Sequence, residues 1–378
     1  MTSSAGASSP GARRPIHPVT QYARDVVAKK TPAGHLVRLA CERHLRDLAH
    51  GGRRGLKFDE GEADRVLQFF GFLKQRKGEW ANEPIDLQPW QVFRIGSVFG
   101  WRRFDDESGL WIRRFRSAYN EVARKNGKTT EAAGIGNYLA FFDGEPGAEV
   151  YAAATKRDQA KVCWSEAKWQ IDHLPTVIKR GITLLTANMH SVATASKFEP
   201  LGADEDSGDS INLHGLILDE LHAWKSRDYL EKLLTASGSR RQPLIWIITT
   251  AGAQGESLYA EQHDYAVKVL EGAVEDDTYF SYIACIDDPE KWQAEKEWAK
   301  SNPNLGVSVK LRYLREQCLK AREIPAQESS FKRYHCNIRT TNEARFVPSE
   351  VWDAQERRAP LSEMAGRRCF VGLDLAST

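Results

Sequence analysis

Three short stretches of this chain hold residue types suited to phosphate chemistry. The first is Ser117-Ala-Tyr-Asn-Glu-Val-Ala-Arg-Lys-Asn-Gly-Lys-Thr-Thr130, a strand-like run that breaks into a loop at 124–127 and resumes as a helix from about Lys128. Strand, loop and helix in this order make a phosphate-binding loop. Backbone N–H groups around Asn126, Gly127 and Thr130 converge at a helix N-terminus, Lys128 adds a point charge, and the Thr129 hydroxyl can ligate Mg²⁺. The full pattern G-x-x-x-x-G-K-[ST] wants glycine at 122, where Val122 stands. Gly-Lys-Thr alone equally describes a capped helix start with a solvated lysine.

The second stretch is Leu213-His-Gly-Leu-Ile-Leu-Asp-Glu220, an apolar run that delivers two carboxylates at its C-terminal end. There Asp219 would hold Mg²⁺, directly or through water, and Glu220 would polarise an attacking water. An Asp-Glu pair after a strand also serves as a plain helix cap. The third is Pro243-Leu-Ile-Trp-Ile-Ile-Thr-Thr-Ala-Gly252, whose Thr249 and Thr250 hydroxyls could sense a terminal phosphate. A fourth, weaker signal precedes these in Pro84-Ile-Asp-Leu-Gln-Pro-Trp-Gln-Val-Phe93. Gln91 can donate to and accept from an adenine edge while Trp90 covers the base, although a helix start with a packed tryptophan reads the same.

The elements around these stretches alternate. A helix through Ala132, Ile135, Tyr138, Leu139 and Phe142 follows the loop, then a buried-strand pattern at 148–155 and a helix at about 158–171. That alternation predicts an α/β fold with a mainly parallel sheet. Residues 21–73 carry helical periodicity around the Gly51-Gly52-Arg53-Arg54-Gly55 loop, and residues 1–18, rich in Ser, Gly, Ala and Pro, read as a disordered tail. Trp101-Arg-Arg-Phe104 and Trp111-Ile-Arg-Arg-Phe-Arg116 are expected to be strands with one wet face. The acidic loop at 202–209 is expected to be solvated. Helices are expected at 257–270, 289–301, 309–322 and 325–337, with a strand at 279–286.

Composition narrows the class. The 378 residues carry a net charge of only +2, so any nucleic-acid contact must come from local patches. The six cysteines are scattered without Cys-x-x-Cys spacing, which suggests neither a disulfide framework nor a zinc site and fits a reducing compartment. No apolar run reaches membrane-span length, and the N-terminus lacks a signal-peptide core, so an intracellular protein is expected.

Taken together, Leu-Gln-Pro-Trp-Gln, Ala-Arg-Lys-Asn-Gly-Lys-Thr, Ile-Leu-Asp-Glu-Leu-His and Ile-Thr-Thr-Ala-Gly resemble the large terminase subunits of tailed double-stranded DNA bacteriophages. The resemblance runs from about Leu87 to the C-terminus, and it makes the missing glycine at Val122 an expected feature. It implies a P-loop ATPase of the additional-strand, conserved-glutamate class, in which Arg124 or Lys125 contacts the γ-phosphate. It also implies a helical lid and, at Arg367-Arg-Cys-Phe-Val-Gly-Leu-Asp-Leu-Ala-Ser-Thr378, the first strand of a ribonuclease H-like nuclease with Asp374 as a metal ligand. Two-metal cleavage needs several convergent carboxylates, so a chain with Asp374 alone is expected to be an ATPase part without nuclease activity; the full-length protein would use Mg²⁺ or Mn²⁺.

The expected organisation is therefore a tail (1–20), a helical extension (21–83), an ATPase core (84–288), a lid (289–365) and a nuclease start (366–378). The resemblance implies Mg²⁺ and ATP as cofactors. The implied partners are double-stranded DNA, a portal protein, a small terminase subunit and further copies in a ring on the portal, in the cytoplasm of an infected host. For the arginine that completes such a site, the expectation is Arg124 in cis or Arg240 and Arg241 from a neighbour, since 181–225 contains no arginine. A helicase-like ATPase and a non-hydrolysing nucleotide-dependent adaptor are the competing readings.

Overall fold

The computed structural model describes residues 15–202 and 211–340, with three single residues beyond. The chain divides into two units, Met1–Asn342 and Glu343–Thr378, and every element described below belongs to the first. The expected tail up to residue 14, the acidic loop and the strand holding Asp374 lie outside the described residues.

The N-terminal region is helical: α2 (His35–His50) and α3 (Glu60–Phe72) fall where periodicity predicts, α1 (Pro18–Val27) starts inside the expected tail because Val19 and Thr20 are buried, and α4 (Pro89–Gly100) follows. Between and after them lies a small antiparallel sheet in the order β1 (Leu56–Phe58), β2 (Trp101–Asp105), β3 (Leu110–Arg113). The glycine-rich loop thus leads into a strand that the sequence reading does not anticipate. Its partner is β2, where Phe58 faces Trp101 in register. On β2 and β3, Phe104 and Trp111 stay exposed while Trp101 and Ile112 are buried, the half-wet pattern expected.

The principal sheet holds β4 (Ser117–Val122), β5 (Glu149–Ala154), β6 (Ile182–Leu184), β7 (Met189–Ser191), β8 (Ser196–Gly202), β9 (Leu213–Asp219), β10 (Leu244–Thr249) and β11 (Tyr279–Ala284), in the order β11-β4-β10-β9-β5-β8-β7-β6. From β11 to β8 every pairing is parallel; β7 and β6 extend the edge antiparallel. The central strands are buried on both faces, since all six residues of β10 and the first six of β9 are buried. Continuous apolar runs of this kind require helices on each side. Those helices are α5 (Lys128–Phe141), α6 (Arg157–Asp172), α7 (Arg227–Thr235) and α8 (Leu258–Glu271).

Beyond β11, a separate hydrophobic cluster built on Trp292, Trp298, Leu314 and Phe331 joins α9 (Glu295–Ser301), α10 (Leu311–Glu323) and α11 (Pro325–His335). The helix expected over 289–301 is broken into a 3-10 turn at Pro289–Lys291 and α9. The break follows from packing: the Trp298 indole N–H donates to the Trp292 carbonyl at 2.7 Å, withdrawing that carbonyl from a continuous helix. Among the described residues no helix is long and apolar enough to cross a membrane.

Candidate nucleotide site

Because β4, β10 and β9 are parallel neighbours, their C-terminal ends open on one edge of the sheet. The loop after β4, Thr249-Thr250 after β10 and Asp219-Glu220 at the end of β9 therefore meet there. β10 lies between the loop strand and the Asp-Glu strand, which is the inserted strand of the expected fold class. Parallel strands open a ligand crevice at their carboxyl ends.

The loop itself is shaped by two residues in the left-handed region, Lys125 (φ 70°) and Gly127 (φ 80°). Gly127 caps α5, and a side chain there would be strained by that φ. Val122, standing where the pattern wants glycine, is still part of β4: it pairs with Ala284 of β11 and its side chain is fully buried. The loop begins one residue later, so glycine is not needed. Lys128 Nζ donates to the carbonyls of Val122 at 2.6 Å and Ala123 at 3.0 Å. Burial pushes its ammonium down to about 8, while the charges of Asp219 and Glu220 oppose the drop. Thr130 reaches Glu166 through its hydroxyl, and Thr129 occupies the first turn of α5.

The loop is fixed from behind by buried amides. Asn126 Nδ2 donates to the Ala123 carbonyl and to Asn302 Oδ1, and its Oδ1 accepts from the Asn304 N–H at 3.0 Å. Ser308 Oγ donates to the Lys125 carbonyl at 2.7 Å. Trp90 and Gln91 belong to this support, which corrects the base-reading expectation. The Trp90 indole N–H donates to Asn304 Oδ1 at 2.6 Å, and its ring carries the Arg94 guanidinium at 4.2 Å. Gln91 is committed on both ends of its amide, accepting from the Gln88 N–H and donating to Glu131. Both residues are buried and engaged inside the protein. Arg94, itself inaccessible, pairs with Glu131 in the first turn of α5 and donates to Asn120 on β4. Arg94, Glu131, Asn302 and Asn304 escaped the sequence reading. Only the polar run Asn302-Pro-Asn-Leu-Gly306 hinted at the last two.

At the carboxylate end, burial and the neighbouring Glu220 charge push Asp219 up to about 6, against the pull of Lys128. These mutual effects place Lys128, Asp219 and Glu220 within one electrostatic neighbourhood. Glu220 sits in the left-handed region (φ 53°), a conformation that costs a non-glycine residue energy and is concentrated at functional sites. Its backbone N–H is held by the Ile248 carbonyl of β10 at 3.0 Å. Thr249 and Thr250 are buried and contact His222, a residue present in the quoted motif but given no role there.

The arginine expectations divide. The Arg124 N–H donates to the Tyr334 carbonyl, and its guanidinium lies 3.5 Å from the centre of the Tyr334 ring. Its charge acts on Lys128 and His222, so it is beside the phosphate loop. With Lys125 it borders a cavity of about 370 Å³ walled by α10 and α11. Arg240 and Arg241 precede β10 and therefore lie at the opposite end of the sheet. Arg240 is also occupied: it donates to Asn212 Oδ1 at 2.8 Å, Glu145 at 3.2 Å and the Gly147 carbonyl at 2.5 Å. A guanidinium so engaged acts as a structural tie within the chain. Arg241 is exposed at the same far end.

Comparison with known proteins adds the family. A model of the terminase large subunit ATPase domain matches residues 89–268, and one of the terminase large subunit endonuclease domain matches 273–378. Protein YmfN of Escherichia coli (strain K12) is 31% identical over 170 residues, 45% of this chain and 37% of that protein. The terminase large subunit of Enterobacteria phage HK97 is 26% identical over 333 residues, 83% of this chain and 60% of that protein. The crystal structure of the HK97 large terminase superposes with a TM-score of 0.63 at 23% identity, covering 77% of this chain and 58% of the other, and so shares the fold. The chain thus spans less than two thirds of the curated relatives it matches.

Proposed function

This chain belongs to the terminase large subunit family, and we propose that its described part is an ATP-hydrolysing motor acting on double-stranded DNA during genome packaging. The observation that carries the reading is the meeting of Lys128, Asp219 and Glu220 at one edge of a parallel sheet with the inserted strand between them. Lys128 and the N–H groups of the 125–129 loop bind the phosphates; Lys128 leaves the Val122 and Ala123 carbonyls to do so. Thr129 and Asp219 suit an oxygen-coordinated Mg²⁺, which would neutralise phosphate charge. Glu220 orients and polarises the attacking water, and Arg124 supplies positive charge beside the terminal phosphate.

Under this reading 84–288 is the ATPase core, 289–365 the lid and 366–378 the start of a nuclease, with Asp374 among its ligands. β11 supports that core boundary. It pairs with β4 along its whole length, although the endonuclease family model already begins at residue 273. Portal, small subunit and further copies of the chain are its proposed partners, and the host cytoplasm and procapsid portal its place of work.

The test is Glu220→Gln, which keeps shape and removes the charge. Nucleotide binding is expected to persist within about threefold while Mg²⁺-dependent ATP hydrolysis falls by two or more orders of magnitude. Equal loss of binding and turnover would leave the pair a structural role.

A further inference from the structure

His222 joins the two strand ends of the site. Its backbone N–H and its Nδ1 lie 3.3 and 3.2 Å from Thr249 Oγ1, and Thr250 Oγ1 is 3.5 Å from the same Nδ1. On the other side of the ring, Nε2 lies 3.6 Å from Glu220 Oε2 and is the one ion-pair partner of that carboxylate among the described residues. The ring is largely enclosed, with 14% of its side-chain surface accessible against 42% for Glu220. Gly252 makes room for it: a Cβ there would meet Tyr259 at 2.6 Å and the His222 Cβ at 3.1 Å. The glycine of Thr-Thr-Ala-Gly thus admits the Tyr259 ring first and, beside it, this histidine.

Hydrogen-bond chemistry makes the contact directional. Thr249 Oγ1 has one proton and two acceptors in reach, the Thr250 carbonyl at 3.0 Å and His222 Nδ1 at 3.2 Å. If the proton goes to the carbonyl, Thr249 accepts from Nδ1–H, and a neutral ring then turns the Nε2 lone pair toward the Glu220 carboxylate. If it goes to Nδ1, the ring carries its proton on Nε2, aimed at Glu220. The first arrangement repels the carboxylate; the second turns an N–H toward it, at 3.6 Å a small movement short of hydrogen-bond distance.

We propose that His222 is a positioning residue, which fixes the Glu220 carboxylate through Nε2–H in the tautomer that the Thr249 hydroxyl selects. Glu220 needs such a hold because its side chain is open to solvent while its backbone is locked in the left-handed region. A terminal phosphate at the end of β10 competes for the same hydroxyl protons, so the position of Glu220 responds to the nucleotide. The inference rests on the assignment of Glu220 as the residue that orients water.

The test compares purified wild-type protein with His222→Gln, His222→Asn, Thr249→Val and the His222→Asn/Thr249→Val double variant, measuring kcat and KM for Mg²⁺·ATP and the Kd of a fluorescent ATP analogue. Glutamine places an N–H near the Nε2 position, whereas asparagine reaches Thr249 but not Glu220. His222→Asn is expected to lose about tenfold or more in kcat with Kd within about twofold, His222→Gln to recover most of it, and the double variant to be no worse than the worse single. Asparagine and glutamine variants of equal activity, multiplicative losses in the double variant, or a change confined to KM would each overturn the role. Wild-type protein that binds the analogue but does not hydrolyse ATP would overturn the ATPase reading itself, and this inference with it.

Discussion

Lys128 folds back on its own loop, so that its ammonium nitrogen lies 2.6 Å from the carbonyl oxygen of Val122. Val122 occupies the position where a phosphate loop more commonly has glycine, and its carbonyl, at the last residue of β4, holds the charge that the proposed function assigns to phosphate. Those two carbonyl bonds are local and exchangeable, and removing the ammonium relieves its desolvation. Lys128→Ala is therefore expected to lower nucleotide affinity by at least about tenfold while shifting the unfolding free energy by no more than about 1 kcal/mol. Fluorescent-nucleotide titration and chemical denaturation of the same preparation check both halves.

The depressed Lys128 has a second consequence. With its ammonium pushed down to about 8, roughly half the nucleotide-free molecules hold a neutral Lys128 at pH 8. A triphosphate favours the charged form and raises that value, so binding takes a proton up. Calorimetric titrations at pH 8 in two buffers of different ionisation enthalpy are expected to show uptake of about half a proton, vanishing in Lys128→Met. Proton release in the wild type would contradict the assignment.

The three strand ends were legible because each combines a continuous apolar run with a polar tip, a pattern that survives without any knowledge of the rest of the chain. Trp90 and Gln91 were not, because the residue types that could read a base are equally able to satisfy partners inside the protein. Those partners, Asn304 and Glu131, lie 214 and 40 residues away, beyond any local spacing rule. The ties of Arg240 were hidden for the same reason: its acceptors sit on the loops at 145–147 and at Asn212, which only the fold brings together. β1 has three residues, too few to display an alternation. The α/β class with a mainly parallel sheet rested on periodicity, whereas the inserted strand between loop and carboxylates came from the family resemblance. The support beneath the site rests on long-range hydrogen bonds, which periodicity does not encode.

His44 ties the N-terminal helices to β2 and makes stability acid-sensitive. Trp101 Nε1 can only donate, so Nδ1 of His44, 3.0 Å away, must carry a lone pair, and Nε2 faces the Thr20 hydroxyl at 3.1 Å. Burial pushes His44 down to about 3, from an ordinary value of 6.5. Below pH 6.5 the unfolded chain binds a proton that the folded chain refuses, so the associated stability is present above that pH and is lost as pH falls toward 3. From this group the unfolding free energy should drop by up to about 1.4 kcal/mol per pH unit. Urea midpoints between pH 7 and 4 are expected to fall more gently in His44→Gln than in the wild type, and equal slopes would show that another group dominates.

Arg240 offers the clearest separation of anchoring from catalysis. Its guanidinium joins the segment before β10 to Asn212 and to the loop before β5, through bonds that include the Gly147 carbonyl at 2.5 Å and Glu145 at 3.2 Å, with 12% of its side-chain surface accessible. Truncation leaves these acceptors to water at the cost of several charge-assisted bonds, so Arg240→Ala is expected to lose about 1–3 kcal/mol of stability. Position decides the rest of the outcome. The residue precedes β10, whereas Lys128, Asp219 and Glu220 gather where the strands end, so turnover per folded molecule should match the wild type. A trans-acting arginine would behave differently, because subunits lacking it but retaining Glu220 would be rescued by Glu220→Gln subunits that still carry it. Mixtures of Arg240→Ala and Glu220→Gln protein, assembled and assayed below the melting range of the weaker partner, are therefore expected to hydrolyse ATP in proportion to the Arg240→Ala fraction alone. A rate above that line would return Arg240 to the active site of a neighbouring copy.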